Sequence, residues 1–310
     1  MKILVTGGAG FIGSHIVDTY IALGHKVIVL DNLSTGKIEF VNKRAKFYKC
    51  DIRDKTEIAK IITQEKPEII NHHAAQISVR DSVADPIFDA QVNILGLLNL
   101  MELGRKNGAK KVIFASSGGV VYGEAKVIPT VENYKEVLPL SPYGITKLTS
   151  EYYLNFYLQT YKVPYIALRY GNIYGPRQNP HGEAGVVAIF SLKILKGEQP
   201  IINGDGRQTR DYVYVDDIVD ANKIALETQE AGSFNIGTGI ETNVVEIYQQ
   251  LKKISGSSQE ALHGPAKPGE QRRSALDSNK AKNILGWQAK TDLIKGLRQT
   301  YHYFNIGQKE

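Results

Sequence analysis

"KILVTGGAGFIGSHIVDTYIALG", residues 2–24, joins a short apolar run to an amphipathic pattern through a glycine-rich turn. "KILVTG" has the length and residue types of a buried strand. Ile12, Ile16, Val17, Tyr20 and Ile21 then recur on one helical face, and Gly24 stands where that helix should end. Between the two, Gly7, Gly10 and Gly13 form G-x-x-G-x-x-G. Residues without a Cβ allow a tight turn and let a phosphate approach the backbone at a positive helix N-terminus. "KVIVLDN" (26–32) reads as a second strand ending in Asp31. A carboxylate there accepts hydrogen bonds from an adenosine ribose diol and repels a 2′-phosphate, which predicts NAD over NADP.

Outward from this unit the pattern repeats. "KFYKCDI" (46–52), "PEIINHHA" (67–74) and "KKVIFASS" (110–117) read as strands, with helices over "TEIAKIITQE" (56–65) and residues 86–107 between them. Alternating strands and helices predict an α/β fold: a Rossmann-like, doubly wound parallel sheet covered on both faces. After "YIALRYGNIYG" (165–175) the pattern loosens at "GPRQNPHGEAG" (175–185), a hinge into a smaller mixed α/β lobe. The expected division is residues 1–174 plus roughly 211–239 for the dinucleotide domain, and roughly 175–210 plus 240–310 for the lobe.

The 310-residue length calls for more than one core, and 42% hydrophobic with 23% charged residues is the composition of a soluble protein. Cys50 is the only cysteine, which excludes an intrachain disulfide and a cysteine-rich zinc site and suits a cytoplasmic location. No apolar stretch reaches membrane-spanning length, and glycines interrupt the opening apolar run well short of a secretory core. The net charge of +6 is dispersed, with no basic block among aromatics, so neither nucleic acid nor membrane is expected as a partner. His72 and His73 are strand neighbours that point to opposite faces, so no metal site is expected; one belongs to the core, the other to the crevice.

"SPYGITK" (141–147) carries the chemistry. Ser141 can cap a helix beginning at Pro142, which puts Tyr143 and Lys147 on one face. A phenol acting as a base near neutrality needs its pKa lowered by about three units, or ~4 kcal/mol. A lysine and the positive nicotinamide ring are expected to supply that shift. The competing use of the pair is structural, with Tyr143 packed on Leu148 and Lys147 paired with Glu151.

"DNLSTGK", "HHAAQISVRDS", "SSGGVVYGE", "SPYGITK", "LRYGNIYGPRQ", "RDYVYVDD" and "NIGTG" occur in this order across nearly the whole chain. With the glycine loop, this pattern resembles the UDP-glucose (UDP-galactose) 4-epimerase family of the extended short-chain dehydrogenase/reductase superfamily. The resemblance implies Tyr143 as base, Lys147 as its electrostatic partner and Ser117 as proton relay. Counting back from "VYG" would instead give Gly118, and Ser116 is the alternative serine. It implies NAD contacts at Gly7, Gly10, Phe11, Ile12, Gly13, Asp31, Asn32, Ser34, Gly36, Asp51, Ile52, His73, Ala74, Ala75, Asn93, Ser116, Tyr143, Lys147 and Tyr170. A UDP-sugar would meet Ser78, Ser117, Asn172, Val186, Arg210, Lys267, Glu270 and Ser274. Lys267 stands where relatives carry arginine, so Arg272 is an alternative diphosphate donor, and Glu270 replaces an aspartate. Ser274 replaces a bulky tyrosine, leaving room for a 2-acetamido group.

The implied reaction inverts C4 of a UDP-hexose through a transient 4-keto sugar, with NAD retained. Gly118, Gly119 and Val120 follow the relay serine where dehydratases and decarboxylases carry acids. UDP-glucuronate 4-epimerisation is the nearer alternative, and a noncatalytic NAD-binding scaffold the remote one, since it would be expected to lose the Tyr/Lys pair. Aromatics of "SEYYLNFYLQTYK" exceed one core face, so a homodimer burying Tyr152, Phe156 or Tyr157 is expected.

Overall fold

A computed structural model of the chain describes residues 1–181, 185–266 and 271–307. Among the described residues, seven parallel strands form one sheet. They are β1 (Lys2–Thr6), β2 (Lys26–Asp31), β3 (Lys46–Lys49), β4 (Ile69–His72), β5 (Lys111–Ser117), β6 (Tyr165–Tyr170) and β7 (Gly232–Ile236). The spatial order is β7-β6-β5-β4-β1-β2-β3. The chain therefore reverses direction of travel across the sheet between β1 and β4, and a crevice opens there at the strands' C-terminal ends.

The longer helices are α1 (Phe11–Ala22), α2 (Lys55–Glu65), α3 (Gly96–Lys106), α4 (Pro142–Tyr161), α5 (Val186–Leu195), α6 (Val215–Glu227), α7 (Val244–Ser255) and α8 (Leu293–Ile306). The pleat divides β1 cleanly. Ile3 and Val5 pack with α1 and α6 on one face, while Leu4 packs with α2, α3 and α4 on the other. Ser141 caps α4 by accepting from the Gly144 N–H at 3.1 Å, with Pro142 in the first turn, as the sequence predicts.

Three expectations change. Residues 86–107 are not one regular helix: Pro86–Ala90 leads into a π-turn at Gln91–Leu95 before α3. The wider turn seats Gly96 on Ile52, where a Cβ would lie 2.6 Å from the isoleucine Cδ1. Tyr157 is core, donating to Glu102 at 3.0 Å, whereas Tyr152 and Phe156 are 69% and 46% exposed. Part of the C-terminal stretch leaves the lobe: Ala281, Leu285 and Trp287 join the sheet core, and the Trp287 indole donates to the Asp217 carbonyl at 2.9 Å, while Leu297 of α8 stays in the lobe.

The lobe has its own core of Val187, Phe190, Ile247, Tyr248, Leu251 and Leu297, and Phe11 from the glycine loop packs against it. Trp287→Ala should cost about 3–5 kcal/mol in urea unfolding, as expected for a fully buried large side chain; a change within error would show that the C-terminal stretch does not support the sheet.

Candidate active site

At Gly7 (φ +70°) a Cβ would lie 2.7 Å from the Ala74 nitrogen, so β4 can approach the loop only because this residue is glycine. A Cβ on Gly13 would strike the Gly7 carbonyl oxygen. The loop ends at Gly10, the N-cap of α1, which has no side chain to cap the helix, and no acidic residue stands in the first turn. Its first N–H groups thus have neither an intrahelical partner nor a local anion, the setting in which a helix N-terminus takes a phosphate.

Asp31 is 7% exposed at the end of β2 and accepts from the Ala9 N–H at 3.0 Å and the Leu33 N–H at 2.8 Å. Beside it, Asn32 donates to Asp51 at 3.0 Å and accepts from the Ser34 N–H at 3.0 Å. Gly36 lies close enough that a Cβ there would sit 3.0 Å from the Asp31 Oδ1. Hydrogen bonds from Arg53 hold the Asp51 carboxyl down at about 2. Ile52 is 4% exposed and belongs to the core, so only Asp51 of that pair reaches the rim.

His72 is core, hydrogen-bonded to Thr6 at 2.7 Å. His73 is stacked on Tyr170 (centroids 6.0 Å apart), with Nε2 3.1 Å from the phenol. Burial, and then the Lys147 charge, push the His73 pKa down to about 3, so the ring is neutral. Among the described residues its buried Nδ1 has no hydrogen-bond partner. Tyr170 is 4% exposed and its hydroxyl also accepts from Asn222 at 2.7 Å, so it backs His73 rather than lining the crevice itself. Ala74 is held by its N–H donating to the Thr6 hydroxyl at 3.2 Å, and Ala75 follows it, half-buried.

Asn93, expected to touch the dinucleotide, is fully used inside the protein. Its amide donates to the Gln76 carbonyl and Asp89 at 3.0 Å each, and its oxygen accepts from the Gln76 N–H at 3.0 Å. It clamps the loop leading to Ser78, whose hydroxyl caps the short helix Val79–Ala84.

α4 crosses the end of β5. Lys147 is 4% exposed; its Nζ donates to the Ala115 carbonyl at 2.8 Å and lies 5.8 Å from the Tyr143 ring centroid. Burial lowers the Lys147 pKa to about 8 against the opposing pull of Asp89 and Glu151. Burial, and then the Asp89 charge, push the Tyr143 phenol upward, and the neighbouring Ser117 hydroxyl opposes them. In the polypeptide burial outweighs the Ser117 hydroxyl, and the expected lowering calls on the nicotinamide charge as well.

Neighbouring strand residues diverge, and Ser116 points elsewhere. Its hydroxyl donates to Glu151 at 2.5 Å, in a buried cluster where Arg169 bonds Glu151 at 2.7 and 3.0 Å. Ser116 is therefore not a crevice side chain, and Glu151 pairs with Arg169 instead of Lys147. Gly118 cannot take up the relay role: a Cβ there would meet Leu276 at 2.5 Å.

Asn172 and Ser117 both border Gly119, where a Cβ would sit 3.6 Å from the Asn172 Oδ1 and 3.8 Å from the Ser117 Oγ. Val186 opens α5 and packs partly on the lobe core. Arg210 ends the short strand Thr209–Arg210 that pairs with Thr242–Asn243, and its guanidinium donates to the Thr209 carbonyl at 2.8 Å. Ser274 is 6% exposed, in a segment that returns to the relay loop through Gln271, which donates to the Gly123 carbonyl at 2.6 Å. Arg272 pairs bidentately with Asp205 at 2.8 and 3.0 Å. Lys267 and Glu270 lie outside the described residues.

Residues 3–237 match the family model described as the NAD dependent epimerase/dehydratase family. The chain belongs to that family. Relatives extend the match along the whole length. The UDP-glucose 4-epimerase of Mycolicibacterium smegmatis is 45% identical over 98% of each chain. Among solved structures, the UDP-glucose 4-epimerase of Thermotoga maritima, crystallised with UDP-glucose, is 50% identical with a TM-score of 0.97, covering 99% of this chain and 100% of that one. The Thermus thermophilus UDP-glucose 4-epimerase in complex with NAD is 44% identical with a TM-score of 0.94, over 98% and 99% of the two chains.

Sequence reading missed Asp89, Thr146, Gln76 and the Glu151–Arg169 pair. Asp89 and Asn93 stand four apart, a spacing that places both on one helix face, and that signal was available. Arg169→Ala would leave Glu151 buried without its cation and should cost about 3–5 kcal/mol in chemical denaturation; a cost below ~1 kcal/mol would contradict a buried, closed ion pair.

Proposed function

We propose that this protein is an NAD-dependent isomerase that inverts C4 of a UDP-hexose through a 4-keto sugar, with UDP-galactose and UDP-glucose as the principal pair. The observation that carries the reading is the Tyr143 phenol beside the Ser117 hydroxyl, with a Lys147 ammonium anchored on the Ala115 carbonyl at the C-terminal end of β5 and 5.8 Å from the Tyr143 ring centroid.

Family membership and the uncapped start of α1 support NAD as the cofactor. The N–H groups after Gly10 would hold its pyrophosphate and Asp31 its ribose diol. His73, whose buried Nδ1 has no partner among the described residues, adds a polar wall. Bound NAD supplies reversible uptake of the C4 hydrogen with its electron pair, and a ring charge that favours phenolate.

Tyr143 takes the proton of the sugar 4-hydroxyl through Ser117 and returns it after the sugar has turned over. Lys147 keeps a fixed positive charge on the same face of α4. Asn172 and Arg210 hold the nucleotide, so that the sugar can present either face without release. The small Ser274 extends the substrate range to the N-acetylated pair. A carboxylate at 118 is sterically excluded by Leu276, which favours epimerisation over elimination or decarboxylation.

The dinucleotide part is residues 1–174 with about 211–239, braced by Ala281, Leu285 and Trp287, and the lobe contributes to the sugar site. Exposed Ile87, Leu95, Tyr152 and Phe156 on neighbouring helices support a homodimer. Among the described residues, no helix is long and apolar enough to cross a membrane. A cytoplasmic location fits the substrates.

Incubation with UDP-galactose, UDP-N-acetylgalactosamine and UDP-galacturonate, without added NAD, should yield UDP-glucose and UDP-N-acetylglucosamine but no uronate product; failure to convert UDP-galactose would overturn the assignment. Ser117→Ala should lower kcat by roughly 10- to 100-fold by removing the relay. Ser116→Ala should keep kcat and lose about 1.5–3 kcal/mol of stability, the worth of a bond to a charged group. The opposite pattern in the two variants would transfer the relay to Ser116.

A further inference from the structure

Asp89 is the buried acid that the reaction scheme above leaves without a task. It is 0% exposed on the turn Pro86–Ala90, just before the π-turn. Its Oδ2 accepts from the Thr146 hydroxyl at 2.7 Å, and its Oδ1 accepts from the Gln76 amide at 3.1 Å and the Asn93 amide at 3.0 Å. All three donors are neutral. A carboxylate removed from water without a bonded cation is costly, so an acid kept there implies a compensating charge nearby.

The surrounding charges identify it. Lys147 is faced by Asp89 from the Pro86–Ala90 turn, by Glu151 on its own helix, and by His72 and His73 from the end of β4. Glu151 is matched by Arg169, and burial keeps both histidines neutral. Among the described residues no cation bonds Asp89 directly, and Lys147 is the cation whose charge it feels. Thr146 adds a mechanical link. Its hydroxyl bonds Asp89 and also lies 3.1 Å from the Tyr143 carbonyl, on the turn between Tyr143 and Lys147. Through Gln76 the same carboxylate reaches the loop that ends at Ser78.

We propose that Asp89 is a positioning residue of the reaction: its buried carboxylate is the counter-charge of Lys147 and, through Thr146, it fixes the helical turn that carries Tyr143. The proposal rests on the epimerase reading above. Its sign is definite. The negative charge favours the protonated form of both groups, so removing it should lower the proton affinity of Lys147 and of Tyr143 together.

Asp89→Asn keeps the shape. Its oxygen can still accept from Gln76 and Asn93, and its amide can donate to Thr146, whose proton then turns to the Tyr143 carbonyl. The test is the pH dependence of kcat for UDP-galactose conversion, together with a 13C NMR titration of protein labelled at tyrosine Cζ. Both limbs of the profile should move to lower pH by about one unit, and the Tyr143 resonance should titrate earlier. Limbs and titration that stay in place while kcat drops would reduce Asp89 to a structural role and overturn the proposal. If Asp89→Asn fails to fold, Thr146→Val serves instead: it keeps the charge and breaks the link, so kcat should fall with KM and both limbs unmoved. Limbs that move in Thr146→Val would overturn the charge assignment. Wild-type protein that does not convert UDP-galactose would sink the epimerase reading alone, because the tyrosine titration still tests Asp89.

Discussion

The carboxylate of Glu151 accepts hydrogen bonds from Ser116 on β5, Arg169 on β6 and Ser233 on β7, so three adjacent strands and α4 meet at one buried charge. That cluster sets how α4 lies across the sheet. One turn toward the helix start, Lys147 reaches the Ala115 carbonyl; one turn further, Tyr143 comes beside Ser117. The two serines at the end of β5 thus divide the work, because the pleat sends their side chains in opposite directions. A buried pair of this kind contributes little net stability compared with an apolar substitute. Its value here is registry, holding the Tyr143 phenol beside the Ser117 hydroxyl at the C-terminal end of β5.

The local electrostatics run against simple expectation. Burial and Asp89 together make Tyr143 a weaker acid in the polypeptide than free tyrosine, and burial makes Lys147 readier to lose its proton. Such a site is poised only when a positive group joins it, which ties the chemistry to the dinucleotide-loaded state. The neutral donors around Asp89 and the Arg169 partner of Glu151 distribute two buried acids so that one serves structure and the other acts on the reacting face.

Much of the fold was legible in the sequence because its signals are local. The glycine spacing, the apolar face of α1, the Ser141-Pro142 helix start and the alternation of strands and helices each depend on neighbours within a few residues. Asp31 and Ser117 sit at strand ends, and Tyr143 and Lys147 share a helical repeat, which are local positions that spacing reveals. What escaped depends on contacts between distant segments. Asn93 spends its amide on Gln76 and Asp89, Ile52 is drawn under Gly96, and Trp287 reaches back to Asp217 across 70 residues of chain. Arg272 finds Asp205, which no spacing rule foretells.

The central claim is that the Tyr143 hydroxyl carries the proton of the sugar 4-hydroxyl. The most direct measurement is UDP-galactose conversion by Tyr143→Phe protein, with bound NAD and affinity for UDP determined on the same preparation. The account predicts unchanged cofactor content and UDP binding with a rate reduced by about 100- to 10,000-fold, the usual range for loss of a general base. Conversion at the wild-type rate in folded, NAD-loaded protein would contradict it.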